Sequence, residues 1–213
     1  MKPGSFITLE GIEGAGKSTV ARSLQAALQQ RGCTVLLTRE PGGTPLAEKL
    51  RETLLQRGEE RISPVAETLL MFAARALHLE NAIWPALAAG HWVLCDRFSD
   101  ATYAYQGAGR GVQLPLIDAL AESVHGGRWP ARTLLLDLPV AAGLARARAR
   151  GAADRFEMER QEFFERVRAA YLQRAARDPQ RVRIIDARPE AARVAAAALA
   201  AVADLLPDPV PPA

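Results

Sequence analysis

The sequence predicts an α/β fold in which a five-stranded parallel sheet carries helices on both faces. Five short β-prone runs alternate with longer helical stretches along the 213 residues, and none of the runs alternates cleanly between polar and apolar residues. Continuous apolar runs of this kind are typical of strands buried on both faces of a parallel sheet. A second observation is that the first run leads directly into a glycine-rich loop and a helix, which favours the same fold.

The strands are predicted where the β-prone runs have the length of a buried strand. They cover Phe6–Leu9, Thr34–Thr38, Trp92–Cys95, Thr133–Leu136 and Val182–Ile185.

The stretches between the strands are long enough for helical crossovers, so repeated βα units are expected. Pro45 and Pro64 suit first helical turns, and Gly32, Gly90 and Gly126 suit helix ends. The predicted helices are Lys17–Gln30, Pro45–Gln56, Pro64–Ala89, Leu114–Val124, Val140–Arg150, Glu157–Arg177 and Glu190–Leu205.

Residues 1–206 are predicted to form a single domain, because no linker or internal repeat divides them. Residues 207–213 are rich in proline, so they cannot continue a helix or join a sheet, and we predict a mobile tail.

Composition narrows the classes of function. The chain has 27 basic and 24 acidic residues, a balanced surface that argues against nucleic-acid binding. Val194–Leu206 is its most apolar late segment, but it is short and interrupted by Asp204, so no membrane span is predicted. No export signal is visible and the two cysteines need not pair, so we expect a cytoplasmic protein.

The glycine-rich loop has the pattern of a phosphate-binding loop. Gly11–Ser18 reads Gly-Ile-Glu-Gly-Ala-Gly-Lys-Ser and matches G-x-x-x-x-G-K-[ST] without a mismatch. Its glycines allow backbone N–H groups to face an anion, and the helix that follows adds its N-terminal partial charge. In such a loop Lys17 reaches the terminal phosphates and the hydroxyl of Ser18 binds Mg²⁺. The predicted ATP-binding residues are Gly11, Ile12, Glu13, Gly14, Ala15, Gly16, Lys17, Ser18 and Thr19.

Charged residues follow the predicted strands, at the sheet edge where ligands collect in parallel sheets. Asp96 ends an apolar run, an arrangement that suits a second Mg²⁺-binding group beside Ser18. Arg97 follows at once and is suited to bridging two phosphates during transfer. We therefore predict a phosphoryl-transfer site at this edge.

Five motifs in this order carry a resemblance to a known family. They are Gly11–Ser18, Thr38–Thr44 (Thr-Arg-Glu-Pro-Gly-Gly-Thr), Phe72–Arg75, Asp96–Phe98 and Ala104–Gly107 (Ala-Tyr-Gln-Gly). Together they resemble the bacterial thymidylate kinases, which are P-loop nucleoside-monophosphate kinases, over about residues 6–156. The resemblance implies the three-layer fold of that class and transfer of the γ-phosphoryl group of ATP to dTMP, giving dTDP. It also implies Mg²⁺ bound with ATP, a homodimer, and a short lid at about residues 146–156.

The resemblance further implies residue roles. Glu13 would lie near the sugar and the acceptor phosphate, Thr102 and Gln106 would hydrogen-bond the base, and Tyr105 would crowd the sugar 2′ position. Glu40-Pro41 would be a cis peptide bond. The implied substrate contacts are Glu13, Arg39, Glu40, Pro41, Arg51, Met71, Phe72, Arg75, Arg97, Thr102, Tyr105 and Gln106, and the implied catalytic residues are Lys17, Arg97, Asp96, Arg150 and Glu13.

Two details of the resemblance are left open by the sequence. The family stacks thymine on an aromatic residue four positions before the arginine, where this chain has Met71, whereas Phe72 lies three positions before Arg75. Both offsets share roughly one helix face, so either side chain can cover the base.

The second detail is the source of transition-state charge. Some relatives carry a basic residue in the phosphate loop where this chain has Gly14. The lid segment Arg146–Arg155 is then the expected source of positive charge, with Arg150 first and Arg155 next.

Two other functions stay open at this level. One is a P-loop kinase for another nucleotide or a deoxynucleoside. The other is a nucleotide-dependent switch, although the chain has no Asn-Lys-x-Asp guanine motif.

Overall fold

The computed structural model places five parallel strands in one sheet with the order β2-β3-β1-β4-β5. It describes residues 4–56, 60–149, 155–156 and 158–207. The strands are β1 (Phe6–Glu10), β2 (Val35–Arg39), β3 (Trp92–Asp96), β4 (Arg132–Asp137) and β5 (Val182–Asp186). The predicted five-stranded parallel sheet is confirmed, and each strand lies within one residue or two of its predicted bounds.

The register brings the charged strand ends to one edge of the sheet. Asp96 is level with Leu9 of β1 and with Arg39 of β2, and Asp137 of β4 is level with Asp186 of β5. All five strands end on a charged residue at this edge, which is the carboxyl edge where the phosphate loop also begins.

The helices connect the strands and cover both faces of the sheet. They are α1 (Lys17–Gln29), α2 (Pro45–Leu55), α3 (Pro64–His78), α4 (Trp84–Ala88), α5 (Ser99–Thr102), α6 (Leu114–His125), α7 (Val140–Arg148), α8 (Gln161–Arg177) and α9 (Ala191–Ala200), with π-helical turns at Leu79–Ile83 and Tyr103–Gly109. No helix in these described ranges is long and apolar enough to cross a bilayer.

The two faces of the sheet have separate cores, as the period of two in a strand requires. Ile7 and Leu9 of β1 pack in a cluster that includes Leu24 of α1 and Val194 of α9. Phe6 packs on the opposite side, in another buried cluster. The predicted arrangement of helices on both faces is therefore confirmed.

Several helix bounds differ from the predicted ones. The predicted helix Pro64–Ala89 is divided by the π-helical turn at Leu79–Ile83, shortly before Pro85, which has no backbone N–H to donate within a regular helix. The last predicted helix ends at Ala200 and continues as turns.

The helical segment Ser99–Gly109 is absent from the sequence prediction, and it carries much of the site. Its first turn is α-helical and the rest is π-helical, so it has no regular period of 3.6 residues by which to recognise it. Gly107 and Gly109 also lower its helix propensity. We refer to Ser99–Gly109 as the acceptor helix.

Asp100 fastens the acceptor helix to the rest of the fold. Its carboxylate is buried, with 2% of the residue exposed, and accepts hydrogen bonds from Arg174 of α8 and from Arg181, the latter at 2.7 Å. Burial alone would raise the pKa of Asp100, but the two guanidinium groups outweigh it and lower the pKa. The acceptor helix is thus held by a buried ion pair and not by packing alone.

Glu10 fastens the start of the same region to β1. Its fully buried carboxyl group accepts the backbone N–H of Phe98 at 2.7 Å and the hydroxyl of Tyr171 at 2.7 Å. Burial, and next the charge of Asp100, raise the pKa of Glu10 from 4.5 to about 7. The group therefore titrates near neutral pH in the folded chain.

The parent chain should lose stability as the pH rises through about 7, and the substitution Glu10→Gln should remove this loss. A carboxyl whose pKa is raised by folding holds more protons in the folded chain, so its contribution is fully present below about pH 4.5 and is lost as the pH rises through about 7. Urea unfolding at about pH 5 and about pH 8 measures this. We expect the difference in the free energy of unfolding, parent minus variant, to fall by about 2–3 kcal/mol from about pH 5 to about pH 8. A difference that does not change with pH would contradict the raised pKa.

Candidate active site

A cavity of about 280 Å³ opens at the carboxyl edge of the sheet, between the phosphate loop and the acceptor helix. Most of the predicted site residues meet there, although they come from five separate segments. The predicted residues that line it are Glu13, Gly14, Gly16, Lys17, Ser18, Thr19, Arg39, Glu40, Pro41, Arg51, Met71, Arg75, Asp96, Arg97, Thr102, Tyr105 and Gln106.

The phosphate loop has the backbone that its glycines allow. Gly11, Gly14 and Gly16 all have positive φ, at 133°, 75° and 93°. Ile12 and Ala15, by contrast, turn their side chains into the hydrophobic cores, so they can serve an anion only through their backbone groups.

Gly14 explains why this loop has no basic side chain. A Cβ atom at this position would lie 2.1 Å from the carbonyl oxygen of Gly143 in α7, in addition to requiring a positive φ. A side chain here therefore requires α7 to move away, and in this chain Gly14 and Gly143 pack against each other instead.

Lys17 lies at the floor of the cavity. Its Nζ donates to the carbonyl oxygens of Gly11 at 3.0 Å and Ile12 at 3.1 Å. Burial, followed by the charge of Arg97, lowers the pKa of Lys17. An anion entering the loop would supply the counter-charge that these neutral carbonyl groups do not.

Ser18 and Asp96 meet as the sequence predicts. The hydroxyl of Ser18 donates to the Asp96 carboxylate at 3.3 Å, across the gap between α1 and the end of β3. A hydroxyl and a carboxylate are hard oxygen donors of the kind that Mg²⁺ prefers, so this pair fits the expected ion.

Arg97 links the phosphate loop to the acceptor helix. Its guanidinium group donates to the carbonyl oxygen of Gly11 at 3.0 Å and to Glu13 at 2.8 Å, and it lies 4.7 Å from the centre of the Tyr105 ring. The Tyr105 hydroxyl donates to the same Glu13 carboxylate. Arg97 has a φ of 75°, unusual for a residue with a side chain, which turns it back over the loop.

Two further arginines line the cavity, Arg39 at the start of the Arg-Glu-Pro-Gly-Gly turn and Arg51 on α2. Arg39 donates to Glu48 at 2.9 Å and is about half exposed, and Arg51 donates to the carbonyl oxygen of Pro41 at 2.8 Å. The peptide bond Glu40-Pro41 is cis, as predicted.

Glu40 lines the cavity and also orients Arg75. Its buried carboxylate accepts from Arg75 Nε at 2.7 Å and lies 3.3 Å from His78 Nδ1. The other end of the Arg75 guanidinium donates twice to the hydroxyl oxygen of Thr102, at 3.2 and 3.1 Å. Arg75 is thereby held from both sides, at the end of the cavity away from the phosphate loop.

The structure separates Met71 from Phe72. Met71 lines the cavity, whereas Phe72 is only 2% exposed and packs with Val112 and Ile117 in a hydrophobic cluster beneath Arg75. The prediction of Phe72 as a substrate contact is therefore corrected, and of the two alternatives that the sequence left open only Met71 reaches the cavity. Adjacent residues on a helix point about 100° apart, and here only one of the two reaches the cavity.

The lid prediction is corrected for Arg155, and Arg150 lies outside the described residues. Arg155 donates to the carbonyl oxygen of Leu54 at 2.9 Å and to Glu67 at 2.6 Å. The guanidinium group of Arg155 is therefore paired with Glu67 of α3, and Arg155 does not line the cavity. Arg146 likewise donates to backbone carbonyls, including that of Ala187 at 3.1 Å.

Sequence reasoning missed four residues that line the cavity: Leu55, Phe98, Ala101 and Phe156. Phe98 belongs to the Asp-Arg-Phe motif, so a signal for it was present. The other three are apolar residues that read as ordinary core or lid positions.

The cavity joins two chemically different ends. One end offers backbone N–H groups, Lys17 and a pair of oxygen donors, which suits nucleotide phosphates and Mg²⁺. The other end offers Arg75, Thr102 and Gln106, which suits the polar edge of a second ligand. Arg97 lies between them, where a phosphoryl group would pass from one ligand to the other.

The sequence of this chain is similar to those of known thymidylate kinases. Residues 9–197 match the family model described as thymidylate kinase. The thymidylate kinase of Pseudomonas putida (strain GB-1) is 61% identical over 184 residues, which cover 86% of this chain and 88% of that protein. The thymidylate kinase of Pseudomonas entomophila (strain L48) is 58% identical over 204 residues, covering 96% and 95% of the two chains.

A solved structure agrees with the fold as well. The crystal structure of thymidylate kinase from Ehrlichia chaffeensis superposes with a TM-score of 0.77 at 32% identity, covering 94% of this chain and 100% of that one. With the family model matching most of its length and these relatives covering nearly all of it, the chain belongs to the thymidylate kinase family.

Proposed function

We infer that this thymidylate kinase transfers the γ-phosphoryl group of ATP to dTMP, giving dTDP and ADP, within the cavity at the carboxyl edge of its sheet. The observation that carries this assignment is that Lys17 and Ser18 share one cavity with Arg75, Thr102 and Gln106. The relatives at about 60% identity support the same activity. A kinase for another nucleotide or for a deoxynucleoside is not favoured.

ATP is proposed to bind with its phosphates on the loop Gly11–Ser18 and at the start of α1. Lys17 would exchange its two carbonyl partners for the terminal phosphates, because a phosphate provides the charge that a carbonyl lacks. Ser18 and Asp96 would hold Mg²⁺, which when bound neutralises phosphate charge. Their contact at 3.3 Å supports a shared ion.

The acceptor dTMP is proposed to bind across the acceptor helix. Arg39, Arg51 and Arg97 all line the cavity and would hold the acceptor phosphate, with Arg97 in contact with the phosphate loop. Glu13 would face the sugar, fixed there by Arg97 and by the hydroxyl of Tyr105.

The base is proposed to lie on Met71, with Arg75 donating to its carbonyl edge. Arg75 is well suited to this because Glu40 and Thr102 fix its plane before the base arrives. A preorganised donor loses little freedom when the ligand binds.

Catalysis then consists of positioning and charge neutralisation, with no covalent intermediate on the chain. Arg97 is the described arginine best placed to stabilise charge on the transferring group, because it contacts the phosphate loop directly. Arg150 stays a predicted second source. The cytoplasmic location, the single kinase domain and the mobile tail also stay predictions. Residues 208–213 of that tail lie outside the described residues.

The test of the function is a coupled transfer assay on the purified chain with ATP, Mg²⁺ and either dTMP, thymidine, dCMP or AMP. We expect dTMP to be the preferred acceptor, since thymidine lacks the phosphate that the three arginines would hold. Lys17→Ala should lower kcat at least about a hundredfold, equivalent to about 3 kcal/mol, without unfolding the chain. The control Lys49→Ala makes the same change at an exposed lysine of α2 and should retain full turnover. Parent-like turnover by Lys17→Ala would rule out the phosphate-loop assignment.

Truncation of Met71 and of Phe72 should have different consequences. Met71→Ala should raise the KM for dTMP about tenfold, or about 1.4 kcal/mol, and leave the KM for ATP unchanged, because Met71 lines the cavity one helical turn before Arg75 on α3. Phe72→Leu should instead lower the free energy of unfolding by about 1 kcal/mol, with the KM for dTMP within about twofold of the parent. If Phe72→Leu were the variant that selectively loses dTMP affinity, the placement of the base on Met71 would be wrong.

We also propose that the chain forms a homodimer through α3. Val65, Leu69 and Ala73 recur at a spacing of four, so they share one face of that helix, and all three are exposed. Val65 and Leu69 are 48% and 47% exposed, a contiguous apolar face that a second copy of the chain would cover.

The dimer is tested by light scattering during gel filtration. Leu69→Glu should halve the molar mass, because a carboxylate in an apolar interface is costly to bury. Ile184→Glu places the same charge on the 52% exposed Ile184 of β5 and should leave the mass unchanged. A monomeric parent chain, or a dimeric Leu69→Glu variant, would refute this interface.

A further inference from the structure

Gln106, one of the cavity residues, is held by a carboxylate that lies behind it. Gln106 Nε2 donates to Glu67 Oε1 at 2.7 Å. Glu67 belongs to α3, is only 1% exposed, and also accepts from Arg155 at 2.6 Å and from Arg110 at 3.5 Å. The two guanidinium groups balance the charge of a carboxylate that is otherwise deeply buried.

This contact decides which way the Gln106 amide faces. A carboxylate between two guanidinium groups has only acceptors to offer, so the NH₂ group of Gln106 must face Glu67. The carbonyl oxygen Oε1 is then turned away from Glu67. Gln106 is 2% exposed and lines the cavity, and among the described residues no hydrogen-bond donor reaches this oxygen. Since Gln106 Oε1 is not among the buried polar atoms that lack a partner, it is open to the cavity, where it can accept a hydrogen bond from a ligand.

Arg75, which lines the same cavity, offers hydrogen-bond donors where Gln106 offers an acceptor. A guanidinium group has only donors, and Glu40 and Thr102 hold it in place. The base-binding end of the cavity thus presents a fixed donor and a fixed acceptor. The thymine edge is complementary to this pair, with O4 as acceptor and N3–H as donor. Cytosine has the reverse order, with an amino donor at C4 and an acceptor at N3.

We propose that Glu67 is a positioning residue for base specificity, which fixes the Gln106 amide so that its carbonyl oxygen accepts the N3–H of the base. This proposal rests on the binding of dTMP proposed above. Through Gln106, Glu67 would admit bases with a proton on N3 and reject cytosine, because the bound cytosine would shield the Gln106 oxygen from water and set its own acceptor N3 against it. Glu67 itself does not touch the base.

Glu67→Gln provides a directional test, because the shape of the side chain is kept. Arg155 and Arg110 can only donate, and the contact of Arg155 at 2.6 Å is much shorter than that of Arg110 at 3.5 Å. The carbonyl oxygen of the new amide should therefore face Arg155, and its NH₂ group should face Gln106 in place of the long contact with Arg110. Gln106 would then turn its own carbonyl oxygen to that NH₂ group and present its NH₂ group to the cavity. That orientation suits N3 of cytosine and opposes N3–H of thymine or uracil.

The experiment measures kcat/KM of the parent chain and of Glu67→Gln with dTMP, dUMP and dCMP. Where turnover of dCMP is too slow to follow, its Ki against dTMP serves in its place. We expect the preference for dTMP over dCMP to fall about tenfold or more, while the preference for dTMP over dUMP stays within about twofold. The dUMP arm separates the effect on N3 from a general loss, since uracil shares N3–H with thymine.

The matched control is Glu159→Gln. Glu159 accepts from the other end of Arg110 at 2.6 Å, in the same network, and has no contact with Gln106. It should keep the parent preference for dTMP over dCMP. An equal loss of all three substrates in Glu67→Gln, or a loss of preference in the control, would reduce Glu67 to a structural role and overturn the proposal.

A second variant settles the case if Glu67→Gln does not fold. Gln106→Met keeps the length of the side chain but removes the acceptor, so it should also reduce the preference for dTMP over dCMP about tenfold. An unchanged preference in Gln106→Met would overturn the proposal, whatever the first variant does. Failure of the proposed function would be seen separately, as a parent chain that does not phosphorylate dTMP.

Discussion

Arg97 joins the two ends of the cavity, and the geometry of the site depends on its contacts. Its guanidinium group donates to the Gly11 carbonyl and to Glu13 in the phosphate loop, and also to the hydroxyl of Tyr171. It stacks on Tyr105 of the acceptor helix. Because the same planar group contacts both ligand-binding segments, their separation is set by one side chain. A phosphoryl transfer between two bound nucleotides requires such a fixed separation, since misplacement by about 1 Å is costly.

Two buried carboxylates each fix the orientation of a polar side chain that lines the cavity. Glu40 holds the Nε side of Arg75, and Glu67 holds the NH₂ group of Gln106. Each is almost fully buried, so it would destabilise the fold if it were not paired. The cost of burying these charges is offset by several hydrogen bonds, and the result is a set of polar groups whose orientation is decided before a ligand enters.

Arg155 illustrates that the charge of a residue does not by itself decide its partner. Arg155 has the charge that a lid would need, yet its hydrogen bonds go to Leu54 and Glu67 at the acceptor end. Gly14 in turn cannot accept a basic side chain where it packs against Gly143 of α7. Among the described residues, Arg97 and Lys17 are the cations that contact the phosphate loop, and both are proposed to carry the positive charge at the transferring group.

The sequence alone determined the parallel sheet, the phosphate loop and the family, because each depends on local spacing: buried apolar runs, glycines at fixed positions, and short motifs in order. Tertiary structure alone decided that Met71 and not Phe72 reaches the cavity, since one residue on a helix changes the direction of a side chain by about 100°. It also decided that Glu67, 39 positions from Gln106, orients its amide. Neither fact has a local signature, because both arise from the packing of α3 against the acceptor helix, and contacts between distant segments follow from the fold and not from neighbouring letters.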